Sequence, residues 1–262
     1  MPNYYFINTK LDSGSVIDSR MQTAPSVGLQ VFPQNHPESD NQLWQFVPDL
    51  AGSRFCLLKS KGGLYVIDVK GGKASERGTA LQIHIQNESG FDQNQLWEFV
   101  PDSAGSGYFF IKSKLGDYVI DVKGGASSPH TPLQLFPQNQ PGKTEGQLWM
   151  CRPSATNSYQ PRVTVQAGEP SSIRLDSVGF VALSRISLSF TITDPAGVVT
   201  ISSGPGAISS VSNVHGAFQC TVPVPGAGLP DGSTLDANLN DGNNQLDLRA
   251  VYDAPSNTWR IG

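Results

Sequence analysis

The chain has 262 residues, enough for two domains with a core in each. It carries 18 Lys and Arg against 22 Asp and Glu, a net charge of −4, with the basic residues dispersed. That distribution argues against nucleic acid or an anionic membrane surface as a partner, and no apolar stretch approaches membrane-spanning length.

Glycine (27) and proline (19) are plentiful, and short alternating segments lie between turn formers, so the fold class read from the sequence is all-β. The start, Met1-Pro2-Asn3-Tyr4-Tyr5-Phe6, lacks a basic segment followed by a long apolar run, so no signal peptide is expected. Three cysteines do not make a disulfide framework, and synthesis in the reducing cytoplasm is the simpler expectation.

In chain order, the first two-thirds repeats itself three times. Expected strands of the first repeat are Tyr4–Asn8, Ser15–Ser19, Gly28–Pro33 and Gln42–Val47. Those of the second are Phe55–Lys59, Tyr65–Val69, Ala80–Ile85 and Gln95–Val100. Those of the third are Tyr108–Lys112, Tyr118–Val122, Pro132–Pro137 and Gln147–Arg152. Gln-Leu-Trp ends at Trp44, Trp97 and Trp149, in steps of 53 and 52 residues. Val-Ile-Asp recurs in register, ending at Asp18, Asp68 and Asp121. Leu29-Gln30-Val31-Phe32-Pro33-Gln34-Asn35 returns from Leu81 to Asn87 and from Leu133 to Asn139. A fixed period of this kind means one supersecondary unit reused, each copy burying its apolar face against the others. Cys56 stands where the other repeats have Tyr5 and Phe109, and Cys151 where they have Phe46 and Phe99, so both read as apolar strand residues.

Three Gln-x-Trp motifs in phase, each preceded by the apolar-Asp motif, resemble the ricin B-type β-trefoil lectins over residues 1–153. The resemblance implies a closed barrel capped by hairpins. No Ser-His-Asp set, framed pair of carboxylates, phosphate loop or metal cluster stands out in the sequence, so no enzymatic activity, cofactor or metal is expected. The resemblance also implies binding of galactose or N-acetylgalactosamine (GalNAc) glycans. In that family a carboxylate accepts from vicinal hydroxyls, an aromatic covers the sugar's C–H patch, and an amide completes the fork. Carried over, the first repeat offers Asp18, Phe32, Asn41 and Gln42; the second offers Asp68, Gly71, His84, Asn94 and Gln95; the third offers Asp121, Gly124, Phe136 and Gln147. The second repeat keeps Asp68, Gly71-Gly72 and Asn94-Gln95 together and is expected to be the best formed. The third has Gly146 in place of the Asn and is expected to bind weakly, while the first has Met21-Gln22 in place of Gly-Gly. The competing reading makes the aspartates structural and bonded to turn backbone; the tryptophans are read as core in either case.

After Pro153, residues 154–161 have the composition of a linker. Residues 162–262 contain five arginines, eight acidic residues and no lysine. Ile186–Thr193 alternates with period two. Val163–Gln166, Ile173–Val178, Val198–Ser202, Phe218–Val224, Leu235–Leu239, Leu246–Tyr252 and Thr258–Ile261 are further strand candidates, which together suit a β-sandwich. The Ile186 strand's outward face carries only Ser187, Ser189, Thr191 and Thr193, so this domain is expected to form a homo-oligomer, a dimer first. His215 and Cys220 stand in the wrong order for a papain-like pair. Asp236 to Gly242 fits a calcium loop less well than a hairpin turn at Asn240-Asp241-Gly242-Asn243. Three rivals to a multivalent lectin stand at this point: a pore-forming or otherwise toxic lectin, a glycan-targeted hydrolase, and a trefoil that contacts protein. The protein would be released to meet foreign or cell-surface glycans.

Overall fold

The computed structural model describes residues 3–20, 24–49, 53–73, 78–90, 92–102, 106–158, 162–168, 172–178, 183, 185–211, 218–223, 229–242 and 244–261. Met21, Gln22, the linker residues Tyr159-Gln160-Pro161, His215, Val224 and Asn243 lie outside them. The chain divides into two compact units, Met1–Ser158 and Tyr159–Gly262. Both are all-β.

The first unit contains Tyr5–Thr9 (β1), Ser15–Asp18 (β2), Val27–Gly28 (β3), Gln30–Pro33 (β4) and Trp44–Pro48 (β5) from the first repeat. The second repeat gives Cys56–Ser60 (β6), Tyr65–Val69 (β7), Thr79–Ile85 (β8) and Leu96–Pro101 (β9). The third gives Phe109–Ser113 (β10), Tyr118–Val122 (β11), Leu133–Pro137 (β12) and Leu148–Pro153 (β13). Strands β1, β5, β6, β9, β10 and β13 pair in a ring without an edge, closed by β1 against β13 over Tyr5↔Pro153 to Thr9↔Trp149. The hairpins β2–β4, β7–β8 and β11–β12 cap one end. This is the expected trefoil, with local differences. The expected strand Gly28–Pro33 divides into β3, which pairs with β8, and β4, which pairs with β2. Gln42, Gln95 and Gln147 end short 3₁₀ turns, Asp40–Gln42, Gln93–Gln95 and Glu145–Gln147, instead of opening strands.

Packing follows the repeats. Trp44, Trp97 and Trp149 are fully buried in the core. Three lesser clusters match position by position: Phe6, Val16 and Leu43; Leu57, Val66 and Leu96; Phe110, Val119 and Leu148. Around the barrel, the ring of strands brings half-buried Cys151 and buried Tyr5, Phe46, Cys56, Phe99 and Phe109 together in that order. Tyr5 stacks on Phe46 at 4.7 Å, and Phe46 meets Phe99 at 5.0 Å across the smaller Cys56. Burial pushes the Cys56 thiol up to about 12, and burial together with Cys56 raises that of Cys151.

The second unit contains Arg162–Gly168 (β14), Ser172–Val178 (β15), Arg185–Thr193 (β16), Val199–Val211 (β17), Phe218–Pro223 (β18), Thr234–Asn240 (β19), Gln245–Asp253 (β20) and Thr258–Ile261 (β21). A three-stranded sheet, β14-β15-β18, and a five-stranded sheet, β17-β16-β19-β20-β21, share one core. Val165 and Leu175 of the first pack with Ile186, Leu188, Phe190, Ile192, Leu235, Leu239 and Trp259 of the second. This is the expected sandwich. Strand β17 runs nine residues past the expected Ser202, through a register shift between Leu188↔Ile208 and Phe190↔Ser203. Gly204-Pro205-Gly206 sits in that bulge, where a turn former is tolerated inside a strand. The β19–β20 hairpin turns as expected, with the Asn240 side chain accepting from Gly242 N–H at 2.6 Å and φ of 88° at Gly242. The Ser/Thr face of β16 is not an uncharged surface. It lies inside the sheet, with Asp236, Asp247 and Arg249 of β19 and β20 in the same cross-strand rows.

Candidate carbohydrate site

Each repeat builds the same carboxylate cradle. Asp18 ends β2, is only 2% exposed, and accepts four hydrogen bonds. Gln30 Nε2 (3.1 Å) and Arg20 N–H (2.6 Å) donate to Oδ1; Asn41 Nδ2 (2.7 Å) and Gln42 Nε2 (2.9 Å) donate to Oδ2. Asp68 repeats this with Gln82 (2.8 Å), Asn94 (2.6 Å) and Gln95 (2.9 Å). Asp121 accepts from Gln134 at 2.6 Å, and the Gln147 amide beside it favours its ionised form. Bonds from neutral amides favour the charged form of a carboxylate and oppose the cost of burying it.

The Gln-x-Trp glutamines are holders, as the family resemblance implies. Gln42, Gln95 and Gln147 are fully buried. Each Nε2 also donates to a strand carbonyl, Pro33, Ile85 or Pro137, at 2.9–3.0 Å, and each Oε1 accepts from an asparagine backbone N–H at 2.8 Å. They have nothing left for a ligand. The aspartates are bonded chiefly by side-chain amides, which the turn-backbone reading of the sequence does not include.

The third cradle lacks a donor. Gly146 stands where Asn41 and Asn94 donate, and a Cβ there would sit 3.7 Å from Asp121 Oδ1, so the backbone follows the same path without the amide. Burial pushes the Asp121 carboxyl above its ordinary range, with the bonds from Gln134 and Gln147 pulling the other way. A cleft of about 280 Å³ lies here, lined by Asp121, Gly124, Gly125, Phe136 and Lys143 among others. At the second cradle Gly71 and Gly72 have φ of 81° and 70°, and at the third Gly124 and Gly125 have 72° and 65°. Open space surrounds all four, so glycine is required by the backbone conformation and leaves the rim low. His84 stands half-buried at the second, its Nδ1 3.1 Å from Ile85 O.

A cleft of about 680 Å³ lies over Asp18. Phe32 and Asn41 line it, as the sequence implies, joined by Arg20, Gln30, His36, Glu38 and His130. Sequence reading missed the glutamines Gln30, Gln82 and Gln134, whose signal was the Leu-Gln step common to the three repeats. It also missed His130, which comes from the third repeat and meets Phe32 with ring centroids 4.8 Å apart.

Residues 40–136 match the model of a family described as the ricin-type beta-trefoil lectin domain-like family. Over those residues the first unit carries a ricin-type β-trefoil lectin-like domain. Several solved structures are similar to this chain. A designed three-fold symmetric protein, ThreeFoil, is 19% identical over 56% of this chain and 96% of its own, with a TM-score of 0.49. The ricin B-like lectin of Macrolepiota procera, solved in complex with lactose, is 23% identical over 56% of this chain and 93% of its own, with a TM-score of 0.45. A mosquitocidal holotoxin aligns with all of this chain and 42% of its own at 10% identity, with a TM-score of 0.50. No curated protein matches the sequence. No helix among the described residues is long and apolar enough to cross a membrane.

Proposed function

We propose that the protein is a lectin that binds galactose- or GalNAc-bearing glycans through the trefoil and acts by binding without chemistry. The observation that carries this reading is the first cradle. The Asp18 carboxylate is fixed by Asn41 and Gln42 at the floor of a cleft walled by an aromatic ring, Phe32. A fixed carboxylate accepts from two hydroxyls while a ring face covers the sugar's C–H patch. Asp68 with Asn94 gives the second repeat the same floor, and Asp121 gives the third a poorer one. In this reading residues 1–153 carry the lectin module, 154–158 are bonded back to it, and 162–262 are the sandwich. A glycan array with the full chain tests the reading. Retention of galactose- or GalNAc-terminated glycans, competed by free galactose, supports it, and an array blank for every glycan sinks it.

The second part of the proposal is multivalency by a dimer of the sandwich unit. Single sugar sites are weak, and a second copy raises avidity without new contacts. Among the described residues β17 pairs with β16 alone, and Val199 at its start and Val198 just before it are 54% and 60% exposed, an apolar strand edge of the kind that pairs between copies. Light scattering on the wild type and on Val199→Lys tests this. A dimer that Val199→Lys splits is expected, and a wild-type monomer across the micromolar range removes this part.

A further inference from the structure

The three hairpin caps interlock in a cycle. Ser26 N–H donates to Ile83 O (2.8 Å), Gly78 N–H to Leu135 O (3.0 Å), and His130 N–H to Val31 O (3.0 Å). Each donor therefore belongs to one repeat, and each acceptor follows the cradle glutamine of the next: Gln82, Gln134 and Gln30. All three donors hold the left-handed backbone, with φ of 70°, 86° and 70°. Serine and histidine take that conformation seldom and at a cost. Side chains at this position are aimed at the neighbouring repeat's glutamine. His130 Nδ1 lies 3.2 Å from Gln30 Oε1, and a Cβ built on Gly78 would lie 3.2 Å from Gln134 Oε1.

We propose that the left-handed residue each repeat lays across the next, Ser26, Gly78 or His130, sets the ligand specificity of the cradle beneath it, and that His130 makes the first site a composite of two repeats. The inference rests on the sugar-binding reading and adds a residue from another repeat to the site.

The chemistry follows from one carboxylate. The Asp18 carboxylate accepts from Gln30 Nε2 at 3.1 Å, so Gln30 turns its NH₂ toward it. That leaves Gln30 Oε1 facing His130, and an amide oxygen can only accept. His130 Nδ1 therefore carries the proton, and in the neutral ring Nε2 is an acceptor. The first site then presents two kinds of acceptor, the Asp18 carboxylate and the His130 Nε2 lone pair, beside the tilted pair of rings of Phe32 and His130. It suits a sugar with a hydroxyl beyond those Asp18 takes. The second site has the Ser26 hydroxyl instead, and Gln82 Oε1 there is buried with no partner among the described residues. The third has only Gly78.

The test uses the full chain and galactose as probe. Affinity is read site by site from the amides near Asp18, Asp68 and Asp121 in NMR titrations. Asparagine tolerates the left-handed backbone, so His130→Asn removes the ring with little strain. We expect this variant to lose about tenfold in affinity at the first site, the size of one hydrogen bond plus a ring contact, and to leave the other two unchanged. First-site affinity within twofold of wild type overturns the inference while leaving the lectin reading intact. No shift at any of the three sites in the wild type overturns the lectin reading itself. If His130→Asn does not fold, two further arms decide. The ¹⁵N spectrum of the wild-type imidazole should show the Nδ1–H tautomer, and an Nε2–H tautomer breaks the chain from Asp18. Ser26→His should give Gln82 Oε1 its donor and change galactose affinity at the second site alone; no change there counts against the inference.

Discussion

The indole N–H of Trp97 donates to the carbonyl of Ile67, 3.1 Å away and one residue before Asp68. Trp44 does the same to Ile17 at 3.2 Å and Trp149 to Ile120 at 3.1 Å. The largest core residue of each repeat thus grips the backbone that carries the site's carboxylate. Core packing and site geometry are one construction. Trp97→Phe keeps most of the buried apolar volume but removes this bond. It should cost about 1–3 kcal/mol, the penalty for a buried carbonyl left short of a partner. Urea unfolding measures it, and an unchanged midpoint would mean the bond contributes nothing.

Asp68→Ala leaves the amides of Gln82, Asn94 and Gln95 around an empty floor. The unit should stay folded yet lose about 1–3 kcal/mol, since the amides lose their acceptor inside the protein. Second-site galactose binding should disappear in the same variant. Calorimetry and a thermal melt check both halves, and a variant as stable as wild type would show that the amides find other acceptors.

The raised Asp121 carboxyl has consequences of opposite sign for binding and for stability. As pH falls through the raised value the carboxylate is lost, so any third-site binding weakens earlier than an ordinary aspartate would allow. The folded state holds this proton more tightly than the unfolded chain. Its contribution to stability is therefore full below the unfolded value and is lost as pH rises through the folded one. A ¹³C titration of the Asp121 carboxyl should show a midpoint above the ordinary aspartate value, and one at or below it contradicts the assignment.

Cys56 lets Phe46 and Phe99 meet across it, so Cys56→Phe should overfill the ring and cost about 1–3 kcal/mol. With their thiols raised by burial, Cys56 and Cys151 should resist alkylation in the folded protein and react once it unfolds. Mass spectrometry after iodoacetamide treatment distinguishes the two states, and rapid native labelling of Cys56 would refute the burial argument.

The aspartates, tryptophans and Gln-x-Trp glutamines were legible because each recurs at the same place in three repeats. His130 was not. Its position is occupied by three different residues, and its bond to Gln30 spans 100 residues of sequence, so periodicity alone could not say which cap covers which cradle. Gln30, Gln82 and Gln134 did recur, but a buried amide in a strand looks like any polar residue until its partner is located. Strand β17 was cut short because Gly204-Pro205-Gly206 has the composition of a turn, and only pairing with β16 on both sides of it shows a bulge. The outward face of β16 bears no charge of its own, and the charges on that face come from neighbouring strands that one segment of sequence does not reveal.

The two ends of the trefoil are tied together. Tyr4 N–H donates to Asn157 Oδ1 at 2.8 Å, Asn157 Nδ2 donates to Tyr4 O at 2.7 Å, and Ser154 N–H reaches the same carbonyl at 2.9 Å. Where the chain is cut is then nearly immaterial to the unit, but the cyclic sequence of its repeats is not. A circular permutant opened between the first and second repeats, with the old ends joined, would deliver the same side chain to every cradle. A shuffled trefoil with its second and third repeats exchanged would reverse the circuit, laying Gly78 where His130 now lies and His130 over Asp68. The three repeats read as near copies along the chain, yet around the barrel they have a direction.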